Sequence, residues 1–179
     1  MVCWGDMVPW RQVAAVAAAA VVAGCTQHHA FKPYAGYKMA PYTVRGWDFV
    51  PMGIEAALRY EQDGIASHYE AGGARGALGQ RLYRDQLYAA HRTLPLPCVV
   101  RITNLGNGRS TLARVADRGP FIPGRLIDVS TAVAERLGFV GKGLENVRVQ
   151  VLSVGDGPYR RTAADLPQPT VAAPAGIER

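Results

Sequence analysis

Apolar and polar residues alternate along the middle of the chain. Cys98, Val100 and Ile102 fall on one side and Arg101 and Thr103 on the other, a period of two that predicts a half-buried strand over 98–103. Asn107-Gly108 then offers a turn with positive φ, and Ser110 to Ala116 returns as the partner strand of a hairpin. Val147, Val149 and Val151 alternate with Arg148 and Gln150 in a last strand. Gly64 to Tyr69 reads as a strand after a turn residue, Leu87 to His91 is strand-like, and Leu126 to Val129 is a short strand. Two stretches read as helix. Ser130-Thr131 caps one that runs to Leu137, with Val133 and Leu137 on one face and Gly138 placed to end it. Ile54 to Tyr60 fits a second, brief one. Residues 70–80, rich in Gly and Ala, read as a loop. Strands this short and dispersed suggest a small closed barrel over residues 63–154, because closure removes exposed edges.

The flanks differ in kind. Residues 13–24 read VAAVAAAAVVAG, uncharged and preceded by Arg11. The run is shorter than the ~20 apolar residues of a membrane span and matches the apolar region of a secretory signal peptide. Residues 26–62 hold Pro33, Pro41 and Pro51 with no sustained period, which predicts an extended tether passing into a short docked segment. Residues 155–179, rich in Pro and Ala, predict a disordered tail.

The chain has 179 residues, enough for one domain with leader and tail, and a mean hydropathy of -0.02 argues against a polytopic membrane protein. Its net charge of +6 favours anionic partners. The Lys and Arg residues are scattered rather than clustered, which argues against nucleic acid. Cys3, Cys25 and Cys98 show no metal-ligand spacing, so no metal and no cofactor is expected, and Cys98 reads as a buried, inert thiol.

Two resemblances sharpen this picture. Val22-Ala23-Gly24-Cys25 resembles the lipobox of bacterial lipoproteins. That resemblance implies a signal peptide over 1–24, cut before a Cys25 that carries diacylglycerol and palmitate, and a lipidated N-terminus and tether over 25–62. Thr26, where sorting for inner-membrane retention uses Asp, suggests the periplasmic face of the outer membrane. Further on, five segments in order resemble the rare lipoprotein A family: Gly64-Ile65-Ala66-Ser67-His68-Tyr69, Ala89 to Pro97 (AAHRTLPLP), Val99 to Ser110 (VVRITNLGNGRS), Asp117-Arg118-Gly119-Pro120-Phe121, and Arg125 to Ser130 (RLIDVS). His68 stands where the family usually has tryptophan. The resemblance implies a mainly β fold, a six-stranded double-psi β-barrel over 63–154 with one or two short helices. It also implies endolytic lytic transglycosylase activity in cell wall organisation, on the MurNAc–GlcNAc bonds of peptidoglycan glycan strands free of stem peptides. Glycan strands, the membrane through the lipid, and divisome proteins are the implied partners.

Lytic transglycosylases cleave without water. An acid protonates the leaving oxygen; the same group then takes the proton of the muramyl C6 hydroxyl as that oxygen closes a 1,6-anhydro ring. One carboxyl serves both steps, unlike the two of ordinary glycoside hydrolysis, and it must enter protonated. Asp117, before the turn Arg118-Gly119-Pro120, is the first candidate; the alternative is an Asp that caps that turn with backbone hydrogen bonds. His91 is the second, able to bond a carboxylate or a sugar hydroxyl, against a buried structural His. Asp128 is the third: its segment resembles one that supplies a catalytic Asp in expansin-like barrels, against an Asp that holds the barrel's own backbone. Gln80 stands in the place of the family's Gly-Glu-x-Tyr glutamate and cannot ionise, though it can bond a sugar. That departure supports a second reading, a barrel that binds glycan or a divisome partner and cuts nothing. Tyr69, Tyr83 and Phe121 offer flat faces to sugar rings, and Arg118 and Arg125 suit muramyl carboxylates. Asp117, Gln80 and His91 are expected to line one cleft.

Overall fold

The alternation over 98–116 and 147–151 becomes the wall of a closed barrel in the computed structural model, which describes residues 31–69 and 73–167. The strands are β1 (Tyr42–Val44), β2 (Trp47–Phe49), β3 (Glu61–His68), β4 (Tyr88–Ala90), β5 (Cys98–Asn104), β6 (Ser110–Asp117), β7 (Arg125–Val129), β8 (Leu144–Val154) and β9 (Arg161–Thr162). Helix α1 spans Ile54–Leu58 and α2 spans Thr131–Leu137. Six strands close a ring in the order β3-β7-β4-β6-β5-β8, and β8 returns to β3. The pairs β3–β7 and β4–β6 are parallel and the other four contacts of the ring antiparallel. This is the six-stranded double-psi barrel.

The inward positions of the alternating strands make the core. Val100, Ile102, Val115, Ile127, Val129, Val147 and Val149 are fully enclosed, each stabilising the fold by about 1.5–3 kcal/mol relative to exposure. Cys98 is buried among them and burial pushes its thiol up, so it packs as a small hydrophobe. Helix α2 begins where the Ser130 hydroxyl accepts the Val133 N–H and ends at Gly138, whose φ of 77° is the left-handed stop.

Several elements differ from expectation. Strand β3 starts at Glu61 rather than Gly64. Its first three residues carry no apolar face, yet they pair with Gln150, Val149 and Arg148, and Arg148 holds the Asp63 carboxylate at 2.7 Å. The β5–β6 connection is a five-residue loop, 105–109, in which Gly108 alone has positive φ. Asn107 serves instead through its side chain, which accepts the Arg109 N–H and donates to the Leu137 carbonyl.

The expected tether is folded onto the barrel from Phe31 onward. Lys38 and Leu96 exchange backbone hydrogen bonds, and the Tyr42 hydroxyl donates to the Arg92 carbonyl. The aromatic residues here pack in small local clusters, which leave no period to read. The expected tail is likewise ordered as far as 167. Gly155 N–H bonds Pro97, Asp156 pairs with Arg114 at 2.6 Å, and β9 extends the sheet beside the end of β8. The leader, Cys25, residues 70–72 of the expected loop and residues 168–179 lie outside the described residues.

Candidate active site

Strand register assembles the site. Ser67 of β3 stands opposite Asp128 of β7, Asp128 opposite Ala90 of β4, and Ala90 opposite Asp117 of β6. Four residues from four segments therefore lie in one row across the barrel. Neighbouring strands lie roughly 5 Å apart, so the two aspartates are about two strand spacings from each other.

Asp128 is partly buried. Its Oδ1 accepts the Ser67 hydroxyl, and Arg125 Nη1 donates to that same Ser67 oxygen at 3.2 Å. Burial pushes the Asp128 carboxyl above the usual carboxylate range and the nearby Asp117 adds to the rise, while the Ser67 hydrogen bond, Arg125 and Arg92 oppose it. Its Oδ2 faces Gly119, where a Cβ would stand 3.8 Å away.

Asp117 is bound differently. Its Oδ1 accepts the Ala77 and Arg118 N–H groups, both at 2.8 Å, so the main-chain capping role left open by the sequence is one it fills. Its Oδ2 accepts the Tyr69 hydroxyl at 3.4 Å. The Tyr69 phenol is pushed up by burial and by Tyr88 and Asp117, which keeps it a donor, and its ring meets Tyr88 edge-on.

The remaining candidates separate from this row. His91 is buried; its Nδ1 accepts the Thr93 and Leu94 N–H groups and its Nε2 lies 3.1 Å from the Tyr60 hydroxyl. Burial, with Arg92 and Arg118 nearby, lowers its pKa to about 3. Both ring nitrogens are thus engaged within the protein, where the ring holds the 91–94 loop. Arg118 is drawn inward: Nη1 donates to the Leu94 carbonyl at 2.5 Å and Nη2 to the Lys38 carbonyl at 2.9 Å, tying the 91–94 loop to the N-terminal segment. Arg125 supports Ser67 rather than open solvent. Tyr83 holds the Gln86 side chain through its backbone N–H at 3.0 Å, in the turn before β4. Phe121 stands beside Phe49 and Tyr42, at ring separations of 5.5 and 6.4 Å.

Gln80 is engaged by the N-terminal segment. Its side-chain amide donates to the Lys32 carbonyl at 2.5 Å, clamping the N-terminal segment onto the 73–82 loop. Gln80→Glu would set a carboxylate against that carbonyl. The variant should therefore show a lower thermal midpoint, by an amount fitting the loss of about 1 kcal/mol for one hydrogen bond, and a glycan-cleavage rate within twofold of the parent. A large gain in rate would return position 80 to the chemistry.

Next to the row a groove of about 500 Å³ opens, lined by Val44, Arg45, Trp47, Phe49, Arg92, Phe121, Pro123 and Gly124. Three neighbours of the row were not singled out by the sequence: the Ser67 hydroxyl, within a noted motif; Arg92, within a matched segment; and the β1–β2 hairpin. Only Ser67 carried a usable signal, as a polar residue on the inward phase of a strand.

Residues 61–149 match the family described as lytic transglycolase. The endolytic peptidoglycan transglycosylase RlpA of Pasteurella multocida is 43% identical over 116 residues, 63% of this chain and 39% of that protein. A probable endolytic peptidoglycan transglycosylase RlpA of Nostoc sp. is 45% identical over 107 residues, 58% of this chain and 29% of that protein. The chain thus spans well under half the length of either relative. Among solved structures, the Streptomyces papain inhibitor superposes at a TM-score of 0.44 with 21% identity, covering 51% of this chain and 94% of that one.

Proposed function

We propose, of a chain that belongs to the rare lipoprotein A family of lytic transglycolases, that it cleaves the MurNAc–GlcNAc bonds of peptidoglycan glycan strands with Asp128 as the acid and base. The observation that carries this reading is the state of Asp128, a carboxyl lifted by burial and lying next to an open groove.

The proton of Asp128 passes to the glycosidic oxygen as the bond from that oxygen to muramyl C1 breaks. The Asp128 carboxylate then takes the proton of the C6 hydroxyl, O6 bonds to C1, and the 1,6-anhydro end forms with Asp128 reprotonated. Asp117, its carboxylate pinned by two main-chain amides, offers negative charge to the cationic sugar ring while C1 is electron-poor. Ser67 and Arg125 orient Asp128. Gln80 has no part in the proton route, and His91 acts through the loop it holds.

The N-terminal features extend the proposal to place. Lipidation at Cys25 after removal of residues 1–24 anchors the protein in the cell envelope, at the periplasmic face of the outer membrane, where glycan strands and divisome proteins meet it. Labelled palmitate should enter the wild-type chain and be lost in Cys25→Ala.

The activity is tested by incubating the chain with stem-stripped glycan strands and measuring new 1,6-anhydromuramyl ends by mass spectrometry; their absence sinks the assignment. The pH profile tests the acid. Activity needs protonated Asp128, so the rate falls as pH rises through its raised pKa. The Ser67 hydroxyl favours the anion, so Ser67→Ala should move that alkaline limb to higher pH. A shift to lower pH, or none, would remove Asp128 as the titrating group.

A further inference from the structure

The β1–β2 hairpin lies outside the segment that matches the family and has no part in the proton route, yet it forms one wall of the groove. Its turn is Arg45-Gly46, with φ of 52° and 80°. Two positive φ values in a two-residue hairpin favour Asn-Gly, and a long side chain there is uncommon. The conformation is held by the register of Val44 with Trp47, by the Thr43 hydroxyl on the Asp48 carboxylate at 2.6 Å, and by the stacking of Tyr42 on Phe49 at 5.3 Å. The hairpin is in turn clamped to the barrel through Tyr42 and Arg92. A rigid support thus presents an arginine at a conformationally costly position and, beside it, Trp47 with 74% of its surface exposed.

Groove and acid are neighbours. A Cβ at Gly119 would stand 3.8 Å from Asp128 Oδ2 and 3.8 Å from Phe121 Cε2, so the two side chains are neighbours across Gly119. Arg92 lines the groove and also bears on the charge of Asp128. Arg45 and Arg92 line the groove, Arg92 with one nitrogen on the Arg125 carbonyl at 3.1 Å, and among the described residues no acidic one lines it.

We propose that the hairpin and Phe121 form a second sugar subsite beside the acid, where Trp47 meets the apolar face of a muramyl ring and Arg45 with Arg92 takes its lactyl carboxylate. The proposal rests on the glycan-strand reading above and deepens it. The volume is of the order found in small-ligand clefts. An aromatic face gives area with little entropy to lose, and a guanidinium matches a carboxylate in two-pronged geometry. A neutral sugar chain would use the first feature and not the second.

The test measures binding calorimetrically with the full chain in an Asp128→Asn background, so that strands stay whole. The ligands are stem-stripped glycan oligomers, which carry lactyl carboxylates, and N-acetylglucosamine oligomers of equal length, which carry none. Trp47→Ala should weaken both by about tenfold, a stacking-sized loss. Arg45→Gly, which relieves the turn and so keeps the fold, should weaken the muramyl oligomers about fivefold, an exposed charge-pair-sized loss, and leave the neutral ones unchanged. Parental affinity in both variants overturns the proposal, as does an equal loss on both ligands in Arg45→Gly. Unchanged glycan affinity in Trp47→Ala with lost sedimentation on anionic vesicles would give the groove to a lipid surface instead; a shift from dimer to monomer would give it to a second copy. Anhydro ends made by the Asp128-bearing chain report the cleavage reading separately, so either can fail alone.

Discussion

Asp128→Asn should lower the rate of anhydro-end formation by about a thousandfold, the range expected when a general acid is lost. Asparagine keeps the shape and still accepts the Ser67 hydroxyl, but it has no proton of useful acidity to give. Stability should not fall with activity. A partly buried carboxyl whose ionisation is opposed by burial exchanges there for a neutral amide, so the thermal midpoint should equal or exceed that of the parent. Asp117→Asn is the comparison. Its Oδ1 equivalent can still accept the Ala77 and Arg118 amides, while the charge offered to the sugar cation is gone; the loss should be smaller, about ten- to a hundredfold. Rates from purified variants on one glycan preparation decide the order. Should Asp117→Asn prove the more damaging with its thermal midpoint intact, the two roles exchange.

The second large effect is on stability in acid. His91 titrates near 3 in the folded protein against an ordinary value of 6.5. Between those values the unfolded chain binds a proton that the folded one refuses. Its contribution is therefore fully present above pH 6.5 and declines as pH falls toward 3, by up to about 1.4 kcal/mol for each pH unit. The cause is geometric. Nδ1 accepts two main-chain N–H groups, so Nε2 carries the proton and donates to Tyr60, whose hydroxyl donates to Gln62 at 2.7 Å. Charging the ring turns Nδ1 into a donor facing donors. His91→Gln should be less stable than the parent at neutral pH, and that deficit should shrink by about 2 kcal/mol by pH 5. Denaturant midpoints at the two pH values measure it; a constant deficit would mean that the ring titrates normally and is not sealed in.

Both effects bear on how the site is built. The 91–94 loop receives Arg118 through its carbonyls, and Arg118 N–H in turn holds Asp117. His91 is thus linked to the position of the Asp117 carboxylate through the loop it holds. In the proposed mechanism the motif around His91 supplies a support.

What sequence alone determined here is what depends on near neighbours. The period of two over 98–103 and 147–151 sets which side chains enter the core, since alternate residues of a strand must face opposite ways. The Ser130 cap and the Gly138 stop delimit α2 through bonds that span three or four residues. The dense motifs over 64–130 pointed to the barrel and to the two aspartates. The surroundings that single out Asp128 in the proposed mechanism come from the tertiary structure. A carboxyl's protonation follows from its burial and its neighbours, and those of Asp128 come from Ser67, 61 residues away, and from the strand register that sets Ala90 between it and Asp117. The hairpin at 42–49 was hidden for a related reason. Its strands are three residues long and are held by contacts with Arg92 and Phe121, so no local pattern announced them.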